Sequence, residues 1–215
     1  EFLRQRFFQQ INRVRMENLR SRISPHFTFN VLGREINQFN GSEEVKHNLM
    51  ELVKYLRRSL ELTEKLSVSL QDELDFVRTY IELERGRVGE DFVATITVED
   101  GLDATRIMIP SMIVQVPVEN AIKHGLAGKD GKKELMVYVS RETNGIRITV
   151  TDNGRGYLPQ VVSATRGTGT GLKVLYQTIQ LLNTKNKSDK IRFNITNRSD
   201  GQTGTEVSAY IPFRF

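Results

Sequence analysis

The octapeptide VENAIKHG, residues 118–125, lies within PSMIVQVPVENAIKHGL, where the apolar spacing predicts a helix over about 111–125. At helical spacing Asn120, Lys123 and His124 share one face of that helix. An asparagine oxygen can bind a hard cation such as Mg²⁺, and a lysine beside it would bring positive charge to phosphate groups. A polar helix face is also typical of an ordinary solvated helix, so the octapeptide alone does not decide the function.

A second segment, VTDNGRGY at residues 150–157, combines an acidic residue with glycines. The strand pattern ends at Asp152, and Gly154 and Gly156 follow within four residues. Glycines let the backbone approach a ligand closely, because they carry no side chain. A carboxylate at the end of a strand can accept a hydrogen bond from an exocyclic amine such as that of adenine. A glycine-rich turn without a ligand is the alternative interpretation.

In a third segment, RGTGTGLKVL at residues 166–175, glycines come directly before a helix that is predicted over about 171–183. Backbone N–H groups at such a helix start, together with the helix dipole, favour an anion. The segment is not a Walker loop, because GxxxxGK[ST] is absent, and it does not follow a strand as a dinucleotide fingerprint would.

The N-terminal part of the chain has the pattern of a helical hairpin. Apolar residues recur at helical spacing over residues 1–39 and again over 43–63, with the turn NGSEE between them. Their apolar stripes are too wide for two isolated helices, so we expect a dimeric four-helix bundle. The first helix contains PHFTFN, in which Pro25 precedes His26, and we expect the proline to bend the helix and expose the imidazole.

The remaining segments predict an α/β domain. A helix is predicted over about 70–86, and alternating segments predict strands at FVATITVED, at two strands joined by an Asn144-Gly145 turn, at KIRFNITN and at TEVSAYIPF. The predicted fold class is therefore α+β: an N-terminal helical hairpin in a dimeric four-helix bundle, followed by a two-layer α/β sandwich. The predicted domains are residues 1–64 and 65–215.

Composition narrows the possible functions. The 215 residues include three histidines and no cysteine. The absence of cysteine excludes disulfides, cysteine zinc sites and thiol catalysis. No apolar run is long enough to cross a membrane. The net charge of +5 is compatible with acidic ligands, including nucleotides. Nucleic-acid binding is not expected, because the arginines of the first helix are not interleaved with aromatic residues in a compact patch.

Taken together and in this order, the three motifs resemble the Bergerat ATP-binding fold of gyrase-type ATPases, Hsp90-type chaperones, MutL proteins and histidine kinases. The resemblance implies ATP and Mg²⁺ as cofactors, with Asn120 on the metal, Asp152 on adenine and the second glycine loop over the phosphates. The ATP-binding residues so implied are Asn120, Lys123, His124, Asp152, Gly154, Gly156, Gly169, Thr170, Gly171 and Leu172.

One position separates the branches of that family. Gyrase-type hydrolases place a glutamate four residues before the asparagine, where it activates water, and this chain has Val116 there. Valine cannot act as a base, and Glu119 points about 100° away around the helix. The sequence therefore favours transfer of the phosphoryl group to another residue over simple hydrolysis of ATP.

PHFTFN, SLQDELDFVRTYIELERGR and IPSMIVQVPVENAIKHG, in this order, resemble the LytS/YehU-type sensor histidine kinases. The resemblance runs from about residue 17 to the terminal GTEVSAYIPF. The departures are Thr28 for the usual Leu, Arg155 for the usual Pro, Val116-Pro117-Val118 for Pro-Leu-Val, and the lack of an Arg-Leu pair at the end of the helix after Gly171. Arg155 is the departure expected to alter the nucleotide loop.

The resemblance implies a two-component kinase that phosphorylates itself on His26 and passes the group to an aspartate of a response-regulator receiver domain. Asn30, four residues after His26, would serve a phosphatase reaction. The expected assembly is a homodimer, and the chain would be the cytoplasmic part of a longer bacterial inner-membrane protein, anchored upstream. The alternatives are a catalytically silent ATP-binding dimer scaffold and a gyrase-like ATPase, which Val116 and the small size disfavour.

Overall fold

The residues described by the computed structural model are 42–157, 169–186 and 189–215. The chain divides between Lys65 and Leu66 into two compact units, which are treated separately below. The predicted first helix, with His26 and Asn30, lies outside the described residues, as do residues 158–168, which include the start of the second glycine motif.

The helices and strands, in chain order, are α1 (Glu43–Glu64), β1 (Ser67–Ser69), α2 (Leu70–Val88), β2 (Phe92–Val98), β3 (Met108–Pro110), α3 (Gln115–Asn120), a π-helical turn (Ala121–Gly125), β4 (Lys133–Glu142), β5 (Gly145–Asp152), α4 (Gly169–Lys185), β6 (Arg192–Asn197) and β7 (Thr205–Pro212). This composition confirms the predicted α+β class, whereas the four-helix bundle stays a prediction. Among the described residues, no helix combines the length and the apolar character that crossing a membrane requires.

α1 begins where the sequence predicts. The Ser42 side chain caps it by accepting a hydrogen bond from the N–H of Val45 at 3.4 Å, and the backbone becomes extended at Lys65. Three apolar residues of the predicted stripe, Val45, Leu52 and Leu56, are exposed in the single chain. An exposed apolar stripe on an amphipathic helix is what the predicted dimer would cover.

Five strands form one mixed sheet in the order β2-β4-β5-β7-β6. β2 runs parallel to β4, and the other neighbours are antiparallel. A parallel pair needs a crossover connection, and here the crossover contains β3, α3 and the π-helical turn. The crossover is therefore the segment that carries Asn120.

One face of this sheet is buried and the other is open. In β4, Leu135, Val137 and Val139 are buried, whereas Met136 and Tyr138 between them are exposed. The helices form the second layer, and α2 buries the apolar positions that its sequence predicts: Leu70, Leu74, Val77, Tyr80 and Ile81. Each large apolar side chain removed from water in this layer contributes about 1.5–3 kcal/mol.

The helix predicted over 111–125 is shorter and less regular than expected. α3 begins at Gln115, because Met112 has a left-handed backbone with φ 70°, which interrupts a right-handed helix. After Asn120 the N–H of Leu126 bonds to the carbonyl of Ala121 at 2.8 Å, a π-type bond. The prediction was therefore wrong at the start of the helix, whereas the helical segment ends at Gly125 as predicted, with a π-helical last turn.

The β4–β5 hairpin exists, but its turn lies one residue earlier than predicted. Glu142 pairs with Gly145, so the two loop residues are Thr143 and Asn144. Gly145 is required for a different reason: a Cβ there would lie 2.2 Å from the carbonyl oxygen of Ile211 in β7. The glycine thus permits close strand packing and does not shape the turn.

Two short strands were missed. β1 and β3 pair antiparallel, with Val68 opposite Ile109, and both of these residues are buried. Three-residue strands are too short to show a recognisable alternation. Their pairing ties the start of α2 to the segment that leads into α3.

Candidate functional site

Asp152 is the last residue of β5 and is almost fully buried. Its Oδ1 accepts hydrogen bonds from the N–H of Gly154 at 2.8 Å and from the N–H of Thr205 at 3.4 Å. Burial raises the pKa of this carboxyl, while its hydrogen bonds with Gly154 and Thr205 act in the opposite direction. The structure thus fixes an acceptor group at the end of a central strand, in a place that bulk water scarcely reaches.

Three glycines from separate parts of the chain pack closely around Asp152. A Cβ on Gly125 would lie 2.8 Å from Asp152 Oδ1, and one on Gly154 would lie 2.1 Å from the carbonyl oxygen of Gly125. A Cβ on Gly204 would lie 1.9 Å from the carbonyl oxygen of Asp152. Sequence analysis assigns Gly154 to the site but neither Gly125 nor Gly204. Their only sequence signals were the end of a predicted helix and the start of the last strand.

Gly156 holds the outer part of the same loop. Its φ is +86°, and a Cβ there would lie 2.7 Å from Asn197 Oδ1. The same Asn197 oxygen accepts a hydrogen bond from the N–H of Tyr157 at 2.6 Å. The loop after Asp152 is therefore anchored to the end of β6, in a backbone conformation that favours glycine.

Asn120 lies at the junction of α3 and the π-helical turn. Its side chain makes no capping hydrogen bond and is half-buried. π-type turns occur often at functional sites, where the wider turn changes the direction of neighbouring side chains. Within the described part of the chain, no three His, Cys, Asp or Glu side chains cluster to hold a metal by themselves. A cation at Asn120 would need water and phosphate oxygens as its other ligands, which is how Mg²⁺ commonly binds.

Lys123 is engaged by its own helix. Its Nζ lies 2.8 Å from Glu119 Oε2 and 5.6 Å from the centre of the Tyr80 ring. The other Glu119 oxygen accepts a hydrogen bond from Gln115 Nε2 at 2.8 Å. The predicted contact of Lys123 with phosphate stays a prediction, in which the ammonium group would share its three donors between Glu119 and phosphate.

His124 and Arg155 join the π-helical turn to the loop after Asp152. Arg155 Nε donates to the carbonyl oxygen of His124 at 2.7 Å, and the N–H of Arg155 bonds to the carbonyl of Gly125 at 3.3 Å. Burial lowers the pKa of the His124 imidazole, and the positive charges of Arg155 and Lys123 lower it further. These contacts bring the segment of Asn120 and the loop of Asp152 together.

Val116 is buried and faces the start of α4. A Cβ on Gly171 would lie 3.6 Å from both methyl groups of Val116, which is ordinary van der Waals contact. The position at which a gyrase-type hydrolase places its base is thus occupied by an aliphatic side chain beside the second glycine motif. The carboxylate of Glu119 is bound to Gln115 and Lys123.

The second glycine motif is described only in its last residues. Gly169 is the first residue of α4, Thr170 is the second, and Leu172 is half-buried. The structure therefore brings Gly171 beside α3, while the closing of this loop over phosphates stays a prediction.

Glu73 was not predicted as part of the site. It lies in the first turn of α2, is fully buried, and its carboxylate accepts hydrogen bonds from three backbone N–H groups. These belong to Met112 at 2.9 Å, Val114 at 2.7 Å and Gln115 at 3.2 Å. Burial raises the pKa of Glu73 to about 7, although all three bonds act to lower it. No local pattern could reveal a contact between residues about forty positions apart.

Two family models match the chain. One, described as histidine kinase, matches residues 14–92, and the other, described as histidine kinase-, DNA gyrase B- and HSP90-like ATPase, matches residues 105–214. The chain belongs to the histidine kinases, with an ATPase domain of the histidine kinase, DNA gyrase B and HSP90 type.

Curated relatives agree with this assignment. The chain is 28% identical over 205 residues to the sensor histidine kinase YpdA of Escherichia coli strain K12. It is 30% identical over 207 residues to the sensor histidine kinase/phosphatase LytS of Staphylococcus aureus strain MRSA252. These alignments cover 95% and 92% of this chain but 35% and 34% of the relatives. The chain thus spans about a third of the length of the curated relatives it matches.

A solved structure shares the fold. The histidine kinase domain of the Erythrobacter litoralis EL346 blue-light activated histidine kinase superposes with a TM-score of 0.51 at 19% sequence identity. The match covers 87% of this chain and 96% of that domain. At this identity the likeness establishes the architecture and carries no further conclusion about residues.

Proposed function

We propose that this chain is the kinase portion of a two-component sensor that phosphorylates its own His26 from Mg·ATP. The phosphoryl group then passes to an aspartate of a response-regulator receiver domain. The observation that supports this best is the buried Asp152 carboxylate, enclosed by glycines and joined to the segment of Asn120. Val116, at the position of the hydrolytic base, favours transfer to a protein side chain over transfer to water.

Each residue of the site has a chemical role in this proposal. Asp152 accepts a hydrogen bond from the exocyclic amine of adenine, and the glycine motifs let the backbone approach the nucleotide. Asn120 would hold Mg²⁺, which neutralises phosphate charge when it is bound. The neutral His26 imidazole forms a nitrogen–phosphorus bond as the bond from the γ-phosphorus to ADP breaks. ADP departs with that electron pair, and the imidazole proton passes to solvent.

The partners follow from the same proposal. The exposed stripe of Val45, Leu52 and Leu56 on α1 would be covered in a homodimer. Asn30, four residues after His26, would position a water molecule for dephosphorylation of the receiver aspartate, and the relative LytS is named a kinase/phosphatase. The whole protein would carry this cytoplasmic portion after an upstream membrane anchor.

The test is a labelling experiment with the whole chain. The protein is incubated with Mg²⁺ and γ-labelled ATP, beside His26→Gln and, as a matched control, His47→Gln, which alters an exposed histidine of α1. We expect an acid-labile, alkali-stable label on the parent chain and on His47→Gln, and none on His26→Gln. Phosphohistidine is distinguished by this stability from phosphoserine and phosphothreonine.

Other outcomes contradict the proposal in distinct ways. Steady release of phosphate without labelled protein would indicate an ATPase. Tight ATP binding with neither label nor turnover would indicate the silent scaffold. A label that persists in His26→Gln would place the acceptor elsewhere.

A further inference from the structure

Glu73 is a fully buried carboxylate that the proposed chemistry does not use. Its Oε1 accepts hydrogen bonds from the N–H groups of Val114 and Gln115, and its Oε2 accepts one from the N–H of Met112. These donors lie in the turn before α3 and at the first residue of α3. A carboxylate placed here satisfies amides that a helix start leaves without partners and interacts favourably with the helix dipole.

The turn that Glu73 holds has an unfavourable backbone. Met112 has φ 70°, the one positive φ among the described non-glycine residues. A non-glycine residue adopts that conformation only where its surroundings stabilise it. The bond from the Met112 N–H to Glu73 Oε2 provides such stabilisation. Glu73 therefore determines the path by which the chain enters α3.

The segment of residues 112–125 is held at its other end by the loop that follows Asp152. Arg155 bonds to the carbonyl oxygens of His124 and Gly125. Gly125 itself packs against the Asp152 carboxylate. Asn120 lies between this attachment and Glu73, at the point where the helix changes from α to π. A short segment fixed at both ends has little freedom to rotate or slide.

We propose that Glu73 is a positioning residue for Asn120: by holding the turn before α3, it sets where the Asn120 side chain lies relative to Asp152. The inference rests on the proposed function, because it gives Asn120 a role toward Mg·ATP. Glu73 does not touch the nucleotide in this proposal. Its removal should weaken the contribution of Asn120 to binding and leave the contribution of Asp152 to adenine binding almost unchanged.

The experiment separates positioning from general stability by a double-mutant cycle on the whole chain. ATP affinity is measured by calorimetry at about pH 8, where the Glu73 carboxylate is ionised, with Mg²⁺ and again with EDTA. The variants are Glu73→Gln, Asn120→Ala and the double variant. Glu82→Gln is the matched control, because it removes an exposed carboxylate from the same helix. Amide hydrogen exchange follows residues 112–120 in each protein.

We expect Glu73→Gln to weaken binding by about fivefold or more with Mg²⁺ and by less than about twofold in EDTA. In the Asn120→Ala background, Glu73→Gln should alter Mg·ATP affinity by less than about twofold, because the contribution of Asn120 to binding is already lost. Amides of residues 112–120 should exchange faster in Glu73→Gln, whereas Glu82→Gln should match the parent.

Equal losses with and without Mg²⁺, or an undiminished effect in the Asn120→Ala background, would overturn the positioning role while leaving the proposed function intact. A parent chain that binds no ATP would overturn the proposed function, and this inference with it. If Glu73→Gln does not fold, Glu73→Asp takes its place in the cycle. The shorter side chain keeps the charge but cannot reach all three amides, and the same criteria apply.

Discussion

Backbone takes the place of side chains around Asp152. Gly125 and Gly154 bring two stretches of main chain against the carboxylate, and Gly204 brings a third against the Asp152 backbone carbonyl. No Cβ would fit at any of the three. A buried carboxylate in such surroundings forms a stronger hydrogen bond than an exposed one, because water does not compete for it. The raised pKa of Asp152 has the same cause, which is the loss of hydration. An adenine amine that replaces the missing water would favour the ionised carboxylate.

Alanine substitutions at two glycines should have opposite effects on stability. Gly154→Ala forces a Cβ to within 2.1 Å of the Gly125 carbonyl oxygen, so we expect a loss of roughly 2 kcal/mol or more in unfolding free energy. ATP affinity should fall by about tenfold or more, because the loop beside Asp152 must shift. Urea denaturation and calorimetry measure the two effects.

Gly86→Ala is the control for that prediction. Gly86 lies within α2 and a Cβ there meets no atom within 4 Å, so alanine should stabilise the chain by about 0.5–1 kcal/mol. ATP affinity should not change. Loss of stability at Gly86, or unchanged stability at Gly154, would contradict the packing described around the site.

Helices α2 and α3 are joined through a titratable group, which makes their connection sensitive to pH. The pKa of Glu73 is raised from 4.5 to about 7, because loss of hydration outweighs the three amide bonds. At a pH between these two pKa values, Glu73 is largely protonated in the folded chain and largely ionised in the unfolded chain. Glu73 therefore contributes less to stability as the pH rises through this range. Measured across about pH 5 to about pH 8, the unfolding free energy of the parent relative to Glu73→Gln should fall by roughly 2.5 kcal/mol.

The control for this measurement is again Glu82→Gln. The pKa of Glu82 is lowered by its hydrogen bond with Arg85, so its titration lies below the window. The parent and Glu82→Gln should therefore keep a constant difference in unfolding free energy above about pH 5. A constant difference for Glu73→Gln as well would mean that Glu73 has an ordinary pKa in the folded chain.

The sequence predicted helices and strands well where the pattern is long and local. α2 buries the apolar residues that its period predicts, and the boundaries of β2 agree within two residues. The prediction failed where a distant contact decides the local structure. The left-handed Met112 ends the predicted extension of α3, and its stabilisation comes from Glu73, which lies far away in the sequence. Gly145 is likewise required by the close approach of β7 and not by the turn beside it.

The chain as a whole combines a predicted acceptor histidine in one unit with a predicted nucleotide site in the other. All described site residues, from Glu73 to Gly204, belong to the unit that begins at Leu66. The sequence predicts their roles because adenine, phosphate and Mg²⁺ each require particular residue types at fixed spacing, and these roles stay predictions. Glu73 was not predictable, because a buried carboxylate that caps a distant turn has the same local pattern as any acidic residue near a helix start.

The predicted homodimer can be tested through α1. Leu52 and Leu56 are exposed on its apolar stripe, so Leu52→Glu and Leu56→Glu together should weaken self-association by about a hundredfold or more. Analytical ultracentrifugation measures this, and labelling of His26 should fall if dimerisation is needed for it. His47→Glu adds one such carboxylate on the opposite face of α1 and should leave association unchanged. A parent chain that is monomeric at high concentration would contradict the prediction.

The aliphatic side chain of Val116 also bears on how long bound ATP would last. A valine beside Gly171 keeps a carboxylate away from the place where a hydrolase would activate water. We expect bound ATP to survive there until the nucleotide dissociates or His26 is presented. In the proposed kinase, ATP would then be consumed only when the acceptor histidine reaches the site, so the resting protein would use almost no ATP.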